Sequence, residues 1–226
     1  MDVRRQAAKR ALSYVRDSMV LGLGSGVTAG YFIDLLGERL RTGKLRDIMG
    51  VPTSEATAAR ARALGIELTT LDERPHVHLV VDGADEVDPD LNLIKGLGRA
   101  LLREKLVVAH ADRFLVVVDD SKLVGRLGTR GPLPVELLPF GALAQVSWLS
   151  GLGCRAELWE EADGSPAVTD NGNYLVRCWF PDGIADPHAL ARTLADRPGI
   201  VEHGLFLDMA TAVVVAGAGG VRILER

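Results

Sequence analysis

Four short stretches of the chain are almost wholly apolar: "MVLGLG" (19–24), "VHLVV" (77–81), "FLVVV" (114–118) and "TAVVVAG" (211–217). A strand that is apolar on both faces has to be covered on both, and a parallel sheet flanked by helices does this. Segments with helical spacing precede and separate them. "RRQAAKRALSYVR" (4–16) puts Ala7, Ala8, Ala11, Leu12 and Val15 on one face, and "TAGYFIDLLGERLRTG", "PTSEATAARARALG" and "GRALLREKLVVAHA" repeat the pattern after successive strands. The expected fold is α/β, a Rossmann-like and mostly parallel sheet with helices on both faces. In such sheets ligands bind beyond the carboxyl ends of the strands. Polar residues follow four of those ends: Ser25 and Thr28, Thr53 and Ser54, Asp82 and Asp85, and Asp119 to Lys122.

The pattern changes at "TRGPLPVELLPFG", where three prolines and two glycines fall between Gly131 and Gly141. Beyond it "ALAQVSWLSGLG" reads as a helix, "CRAELWEE" and "YLVRCWF" as strands, and "DPHALARTLADRPG" as a helix capped by Asp186 with Pro187 in its first turn. This outlines a smaller inserted α+β, ferredoxin-like domain over residues 132–202, with residues 1–131 and 203–226 forming the main α/β domain. At 226 residues and 47% hydrophobic content the chain is long enough to bury a core in each.

Charge and composition exclude several classes of partner. The formal net charge is -4 and both signs are interspersed, leaving no basic stripe for a nucleic acid backbone. No apolar run is long enough for a membrane span, and the basic start is not followed by the apolar stretch of a signal peptide, so the expected compartment is the cytoplasm. Cys154 and Cys178 form no CxxC pair and read as buried, reduced thiols. His76, His78, His110, His188 and His203 show no metal-ligand spacing, and the acidic run lacks the register of a calcium loop, so no metal site and no cofactor are expected.

In "LGLGSGVTAG" (21–30) glycines at 22, 24 and 26 precede a helix, whose free N–H groups and positive dipole end favour an anion. The spacing is neither GxxxxGK[ST] nor GxGxxG, which disfavours nucleoside triphosphates and dinucleotides. Ser25 and Thr28 suit a phosphate monoester, although the same residues also serve a plain tight turn and helix cap. The segment "VVDGADEVDPDLNLIKGLGRALLREK" carries Asp82, Asp85, Lys95 and Glu104. Carboxylates with a lysine are what proton transfer to and from carbon needs: a base, groups that handle hydroxyl protons, and a cation facing an oxyanion. A solvated acidic turn and an exposed helix charge explain the same residues singly.

Taken together, "GLGSGVTA", "PTSEAT", "DGADEVDPDLNLIKG", "REK", "DDSK", "LPVELLPF", "TDNGNYL" and "GIVEHGLF" resemble the type A ribose-5-phosphate isomerase family over nearly the whole chain. The resemblance implies metal-free interconversion of D-ribose 5-phosphate and D-ribulose 5-phosphate through an enediolate, by a homodimer or homotetramer. It assigns Glu104 as the base between C1 and C2, Asp82 and Asp85 to sugar hydroxyls and ring opening, and Lys95 to the enediolate oxygen. Ser25, Gly26, Val27 and Thr28, Gly83 and Ala84, Gly96, Leu97 and Gly98, Lys122 and Arg4 are the expected substrate contacts. Three features depart from the family pattern: Val27 stands where a serine is usual, "GLGRA" replaces consecutive glycines with Leu97 and Arg99, and Arg4 is the nearest counterpart of an N-terminal lysine. Sugar-phosphate sensor domains of transcription regulators resemble the same fold but need no base, and normally follow a DNA-binding domain.

Overall fold

The computed structural model describes residues 2–226. In chain order it runs α1 (Val3–Ala11), β1 (Val20–Leu23), α2 (Val27–Arg41), β2 (Met49–Pro52), α3 (Glu55–Ala63), β3 (Glu67–Leu68), β4 (Leu79–Asp82), β5 (Glu86–Val87), β6 (Leu93–Ile94), α4 (Leu101–Ala109) and β7 (Phe114–Asp119). It continues β8 (Leu133–Leu137), α5 (Ala142–Ser150), β9 (Arg155–Leu158), β10 (Tyr174–Trp179), α6 (Pro187–Ala195), β11 (Ile200–His203), β12 (Leu205–Phe206), β13 (Ala212–Gly217) and β14 (Gly220–Glu225). The chain divides into two compact units, the first made of the chain up to Ala84, Arg103–Lys122 and Met209–Arg226, the second of Asp85–Leu102 and Leu123–Asp208.

The first unit is a doubly wound sheet in the order β14-β13-β7-β4-β1-β2-β3. All neighbours are parallel except β14, which pairs antiparallel with β13 at the edge. The chain proceeds from β1 through β2 to β3 on one side, then returns to place β4 on the other side of β1. The winding therefore reverses between β1 and β4, the switch point at which open α/β sheets bind their ligands. The four polar strand ends noted in the sequence belong to β7, β4, β1 and β2, which are consecutive neighbours. Their carboxyl ends form one row, spaced by the usual strand separation of about 4.8 Å.

Local chemistry sets the helix starts. The carboxylate of Asp2 accepts the Arg4 N–H at 3.0 Å to cap α1, and the Ser54 hydroxyl accepts the Thr57 N–H at 3.1 Å to cap α3. Ala7, Ala8 and Ala11 bury a flat face of α1 in the core shared with Leu21, Phe32, Leu79, Val117 and Val214. Small side chains there bring the helix close to the sheet, while Phe32 and Leu36 of α2 fill volume from their own helix.

The second unit contains β8-α5-β9-β10-α6-β11 with the antiparallel strand order β11-β8-β10-β9, the ferredoxin-like arrangement. Asp186 caps α6 by accepting the Ala189 N–H at 2.9 Å, with Pro187 in the first turn. Cys154 and Cys178 are free thiols buried in its core. The unit is wider than the expected 132–202. It includes a three-stranded sheet, β12-β6-β5, whose two-residue strands are too short to show a period in the sequence. Glu86, buried in β5, ties the segment before residue 132 into the same unit by accepting N–H groups from Gly128 (2.6 Å), Arg130 (2.8 Å) and Gly131 (3.0 Å).

Glu136 explains two of the sequence motifs at once. It is fully buried on β8, and its Oε1 accepts from the Thr169 hydroxyl (2.9 Å), Asn171 Nδ2 (3.1 Å) and Asn173 Nδ2 (2.9 Å). "TDNGNYL" is thus a turn pinned to "LPVELLPF" through one carboxylate oxygen. Replacing Glu136 by Ala strands the buried donors of Thr169 and Asn173, each unmade bond costing about 1–3 kcal/mol. The expected result is a loss of about 2–4 kcal/mol in urea unfolding; a shift below about 0.5 kcal/mol would show that the turn is held by other contacts.

Candidate active site

The glycine loop after β1 is shaped by a carboxylate. Asp82 ends β4 fully buried, and its Oδ1 accepts the N–H of Ser25 at 3.0 Å and of Gly83 at 2.7 Å. A Cβ on Gly24 would sit 2.2 Å from the Asp82 carboxyl carbon and Oδ1, so only a bare backbone passes there. Gly22 has the same role one pair earlier, its missing Cβ leaving room for Val80 and Val107 at 2.6 and 2.7 Å. Gly26 has φ 95°, the left-handed side that favours glycine, with open space around its Cα.

Gly26 is the N-cap of α2 and offers no side chain to the first turn. The N–H groups of that turn therefore face an uncapped, dipole-positive end, which suits an anion. Val27 and Thr28 open the helix, Val27 with 62% of its surface exposed. Ser25 turns its hydroxyl the other way, into a cluster with Thr53 (2.9 Å), Ser54 (2.8 Å) and Thr57 (3.2 Å). Thr57 in turn donates to the Gly24 carbonyl at 3.0 Å and Thr53 to the Leu23 carbonyl at 2.9 Å. "PTSEAT" is thus a hydroxyl buttress for the glycine loop. Thr57 was not singled out in the sequence, although a serine cap followed three residues later by a polar residue is the signal that would have pointed to it.

Further along the row, Asp119 at the end of β7 accepts the Ser121 N–H at 3.0 Å and its hydroxyl, shaping the 3-10 turn Asp120–Lys122. Lys122 closes that turn, half-buried. Arg4 donates to both Asp2 oxygens, from Nε at 3.1 Å and a terminal nitrogen at 2.9 Å. The Arg4 guanidinium, joined by the Tyr31 hydroxyl at 2.8 Å, holds the Asp2 carboxyl well below the usual carboxylate range. Glu104, in the first turn of α4, is only 3% exposed. Its neighbour Arg103 donates to Glu55 at 2.8 Å, joining α4 to α3.

The remaining candidates belong to the second unit. Lys95 follows β6, is 3% exposed, and holds its Nζ 5.5 Å from the ring centre of Phe206. Its backbone N–H donates to the Gly204 carbonyl at 2.8 Å, and a Cβ on Gly204 would lie 2.1 Å from the Lys95 carbonyl oxygen. "GIVEHGLF" therefore seats the lysine: Gly204 lets the strands close up and Phe206 lies beside the ammonium. Asp85 Oδ2 accepts the Leu97 N–H at 3.0 Å, within a turn closed by Arg99 N–H to the Gly96 carbonyl at 2.9 Å. Gly96 has φ 113°, and a Cβ there would press on Leu101 at 2.8 Å and on Pro134 at 3.2 Å. Of the rest of the acidic run, Glu86 is the loop anchor already described, and Asp88 accepts the N–H groups of Asp90 and Asn92 at 3.0 and 2.8 Å. Among the described residues no three His, Cys, Asp or Glu side chains are placed to hold a metal ion.

Residues 49–220 match the model of the family described as ribose 5-phosphate isomerase A (phosphoriboisomerase A). The chain belongs to that family. It is 52% identical over 222 residues to ribose-5-phosphate isomerase A of Roseiflexus castenholzii, covering 98% of this chain and 94% of that protein. It is 46% identical over 230 residues to a probable chloroplastic ribose-5-phosphate isomerase 3 of Arabidopsis thaliana, covering 100% of this chain and 83% of that one. Among solved structures, a D-ribose-5-phosphate isomerase in complex with phospho-erythronic acid superposes with a TM-score of 0.96 at 43% identity, covering 100% of this chain and 98% of that one. The ribose 5-phosphate isomerase A of Methanocaldococcus jannaschii gives 0.94 at 39%, covering 100% and 99%.

Gly24→Ala tests the glycine loop. The added methyl displaces the Asp82 carboxylate and with it the Ser25 amide, so kcat/KM on D-ribose 5-phosphate should fall at least about 10²-fold if this loop positions the substrate. Unfolding should change by no more than about 1–3 kcal/mol, the usual range for overpacking. Activity within about threefold of the parent would show that Asp82 tolerates displacement.

Proposed function

We propose that this chain interconverts D-ribose 5-phosphate and D-ribulose 5-phosphate by way of an enediolate, the aldose–ketose isomerisation of the non-oxidative pentose phosphate pathway. The observation that carries the reading is the burial of Lys95 and Glu104, each only 3% exposed, in a chain that matches the family along its length. Burying ionisable groups is costly, and a site that moves protons is where such groups belong. A sensor that only binds a sugar phosphate has no use for the base.

In this reading Asp82 and Asp85 hold sugar hydroxyls and help open the ring. Glu104 takes the proton from C2 of the aldose, and the electron pair left behind forms the C1–C2 double bond while negative charge gathers on O1. Lys95 faces that oxygen and lowers the energy of the enediolate. Proton return from Glu104 to C1, with the O2 proton passing to O1 through a carboxylate, gives the ketose. The uncapped start of α2 (Gly26, Val27, Thr28), with Lys122 and Arg4 as basic contacts, receives the phosphosugar. Gly83, Ala84, Gly96, Leu97 and Gly98 supply backbone surface, and Ser25 acts from behind through the hydroxyl cluster.

The reading extends to a metal-independent reaction, a homodimer or homotetramer, and a cytoplasmic protein. None of the described helices is long and apolar enough to cross a membrane. Ketose formation from D-ribose 5-phosphate should persist in excess chelator, and light scattering gives the assembly.

Glu104→Gln is the decisive variant. Removing the base at constant shape should cut kcat by about 10²-fold or more while calorimetric affinity for the phosphosugar stays within a fewfold. Lys95→Ala should reduce kcat on a similar scale, since one lost oxyanion contact costs about 10²–10³-fold. Equal losses of binding and turnover in Glu104→Gln would overturn its role as base.

A further inference from the structure

Arg99 is the residue of the glycine-rich turn that chemistry least expects. It has φ 64°, left-handed backbone that glycine adopts readily and arginine does not, at the end of "KGLGR". Its side chain does not point idly into solvent. One terminal nitrogen donates to Glu161 Oε1 and the other to Glu161 Oε2 at 3.2 Å, a two-pronged grip, while the guanidinium carbon lies 4.9 Å from the centre of the Trp159 ring. Arg99 also holds the Glu161 carboxyl below its ordinary value.

The far side of this grip is tied down by backbone hydrogen bonds. Trp159 continues from β9, its N–H donating to the Leu175 carbonyl at 2.8 Å, and Glu161 heads a tight turn closed by its own N–H to Ser165 at 2.8 Å and by Gly164 N–H to Glu161 at 3.0 Å. Trp159 is stacked in turn against Arg177 (5.2 Å), Arg177 against Trp179 (5.0 Å) and Trp179 against Arg155 (4.2 Å). Arg155 pairs in register with Trp179, and Glu157 with Arg177, so the ladder is built into the β9–β10 pair. The near side of the grip is the turn whose Leu97 N–H holds Asp85.

We propose that Arg99 is a positioning residue: by gripping Glu161 and Trp159 it fixes the Gly96–Arg99 turn, and through the Leu97 amide it sets the Asp85 carboxylate for its work on the sugar hydroxyls. This rests on the isomerase reading and on the role given there to Asp85. The latch takes over from backbone stiffness in a turn where Gly96 and Gly98 leave the chain free to move.

The test uses the full chain and the variants Arg99→Gly, Arg99→Lys, Glu161→Gln, Asp85→Asn and Asp85→Asn/Arg99→Gly. Glycine is at ease at φ 64°, so Arg99→Gly removes the latch without adding backbone strain. Hydrogen exchange at the amides of residues 96–99, followed by mass spectrometry without substrate, should speed up about tenfold or more in Arg99→Gly and Glu161→Gln. With D-ribose 5-phosphate, Arg99→Gly should lower kcat by about tenfold with KM within about twofold, a loss of positioning rather than of binding. Arg99→Lys should not rescue it, because an ammonium makes neither the two-pronged contact nor the stack. In the Asp85→Asn background Arg99→Gly should have no further effect, since its action passes through Asp85.

Unchanged exchange in Arg99→Gly overturns the latch whatever the activity shows. A kcat within about twofold of the parent in both Arg99→Gly and Glu161→Gln, or losses that multiply in the double variant, overturns the link to Asp85. A parent protein without turnover, or an Asp85→Asn variant as active as the parent, overturns instead the reading on which the inference rests.

Discussion

The passage of backbone past the Asp82 carboxylate, with no side chain on Gly24, is the contact on which the first unit depends. It lies where the winding of the sheet reverses, between β1 and β4. The carboxylate is fully buried and takes two backbone N–H bonds, which compensate the cost of removing it from water. Those bonds also fix the direction in which the chain leaves β1. From there Gly26 turns with positive φ, α2 begins without a side-chain cap, and the hydroxyl cluster of Ser25, Thr53, Ser54 and Thr57 closes the loop from behind. The uncapped helix end is the consequence of this geometry, and an anion is the partner it favours.

Buried carboxylates recur as loop anchors in the second unit. Glu86 gathers three backbone N–H groups of residues 128–131, and Glu136 gathers three side chains of residues 169–173. An irregular segment has backbone and side-chain donors that no ladder satisfies, and a buried carboxylate is a strong acceptor that can serve several at once. The acidic run 82–90 is consequently not one functional cluster. Asp82 and Glu86 organise backbone on either side of Asp85, while Asp88 shapes its own turn.

The parallel sheet, its covering helices and the ferredoxin-like insertion are legible in the sequence because each rests on a period: continuous apolar strands, helical spacing, and a capped start such as Asp186–Pro187. What stays hidden has no period. The two-residue strands β5, β6 and β12 are shorter than one repeat of any pattern, so the second unit's claim on Asp85–Leu102 is invisible until Leu205 and Phe206 are seen paired with Ile94 and Leu93. For the proposed site, residue types make Asp82, Asp85, Lys95 and Glu104 candidates, but do not give the direction in which Ser25 turns its hydroxyl. That direction depends on β1 and β2 being neighbours, with Thr57 on the following helix.

Arg99 shows how a local rule is broken and what the break implies. Left-handed backbone costs a residue with a Cβ roughly 1–2 kcal/mol, and glycine at the same place would avoid it. An ion pair open to water adds little stability in return. The Arg99–Glu161 pair is of that kind, with a third of the arginine side chain and more of the glutamate exposed. The ion pair therefore gives no reason of stability to prefer arginine over glycine in this turn. Geometry gives one: a side chain rooted in the Trp159–Arg177–Trp179 ladder restrains a segment that its own glycines leave loose, and that segment carries the amide bonded to Asp85. Where a residue contributes little to how firmly a chain folds and much to where one carboxylate stands, its place in the molecule is explained by the role proposed for that carboxylate.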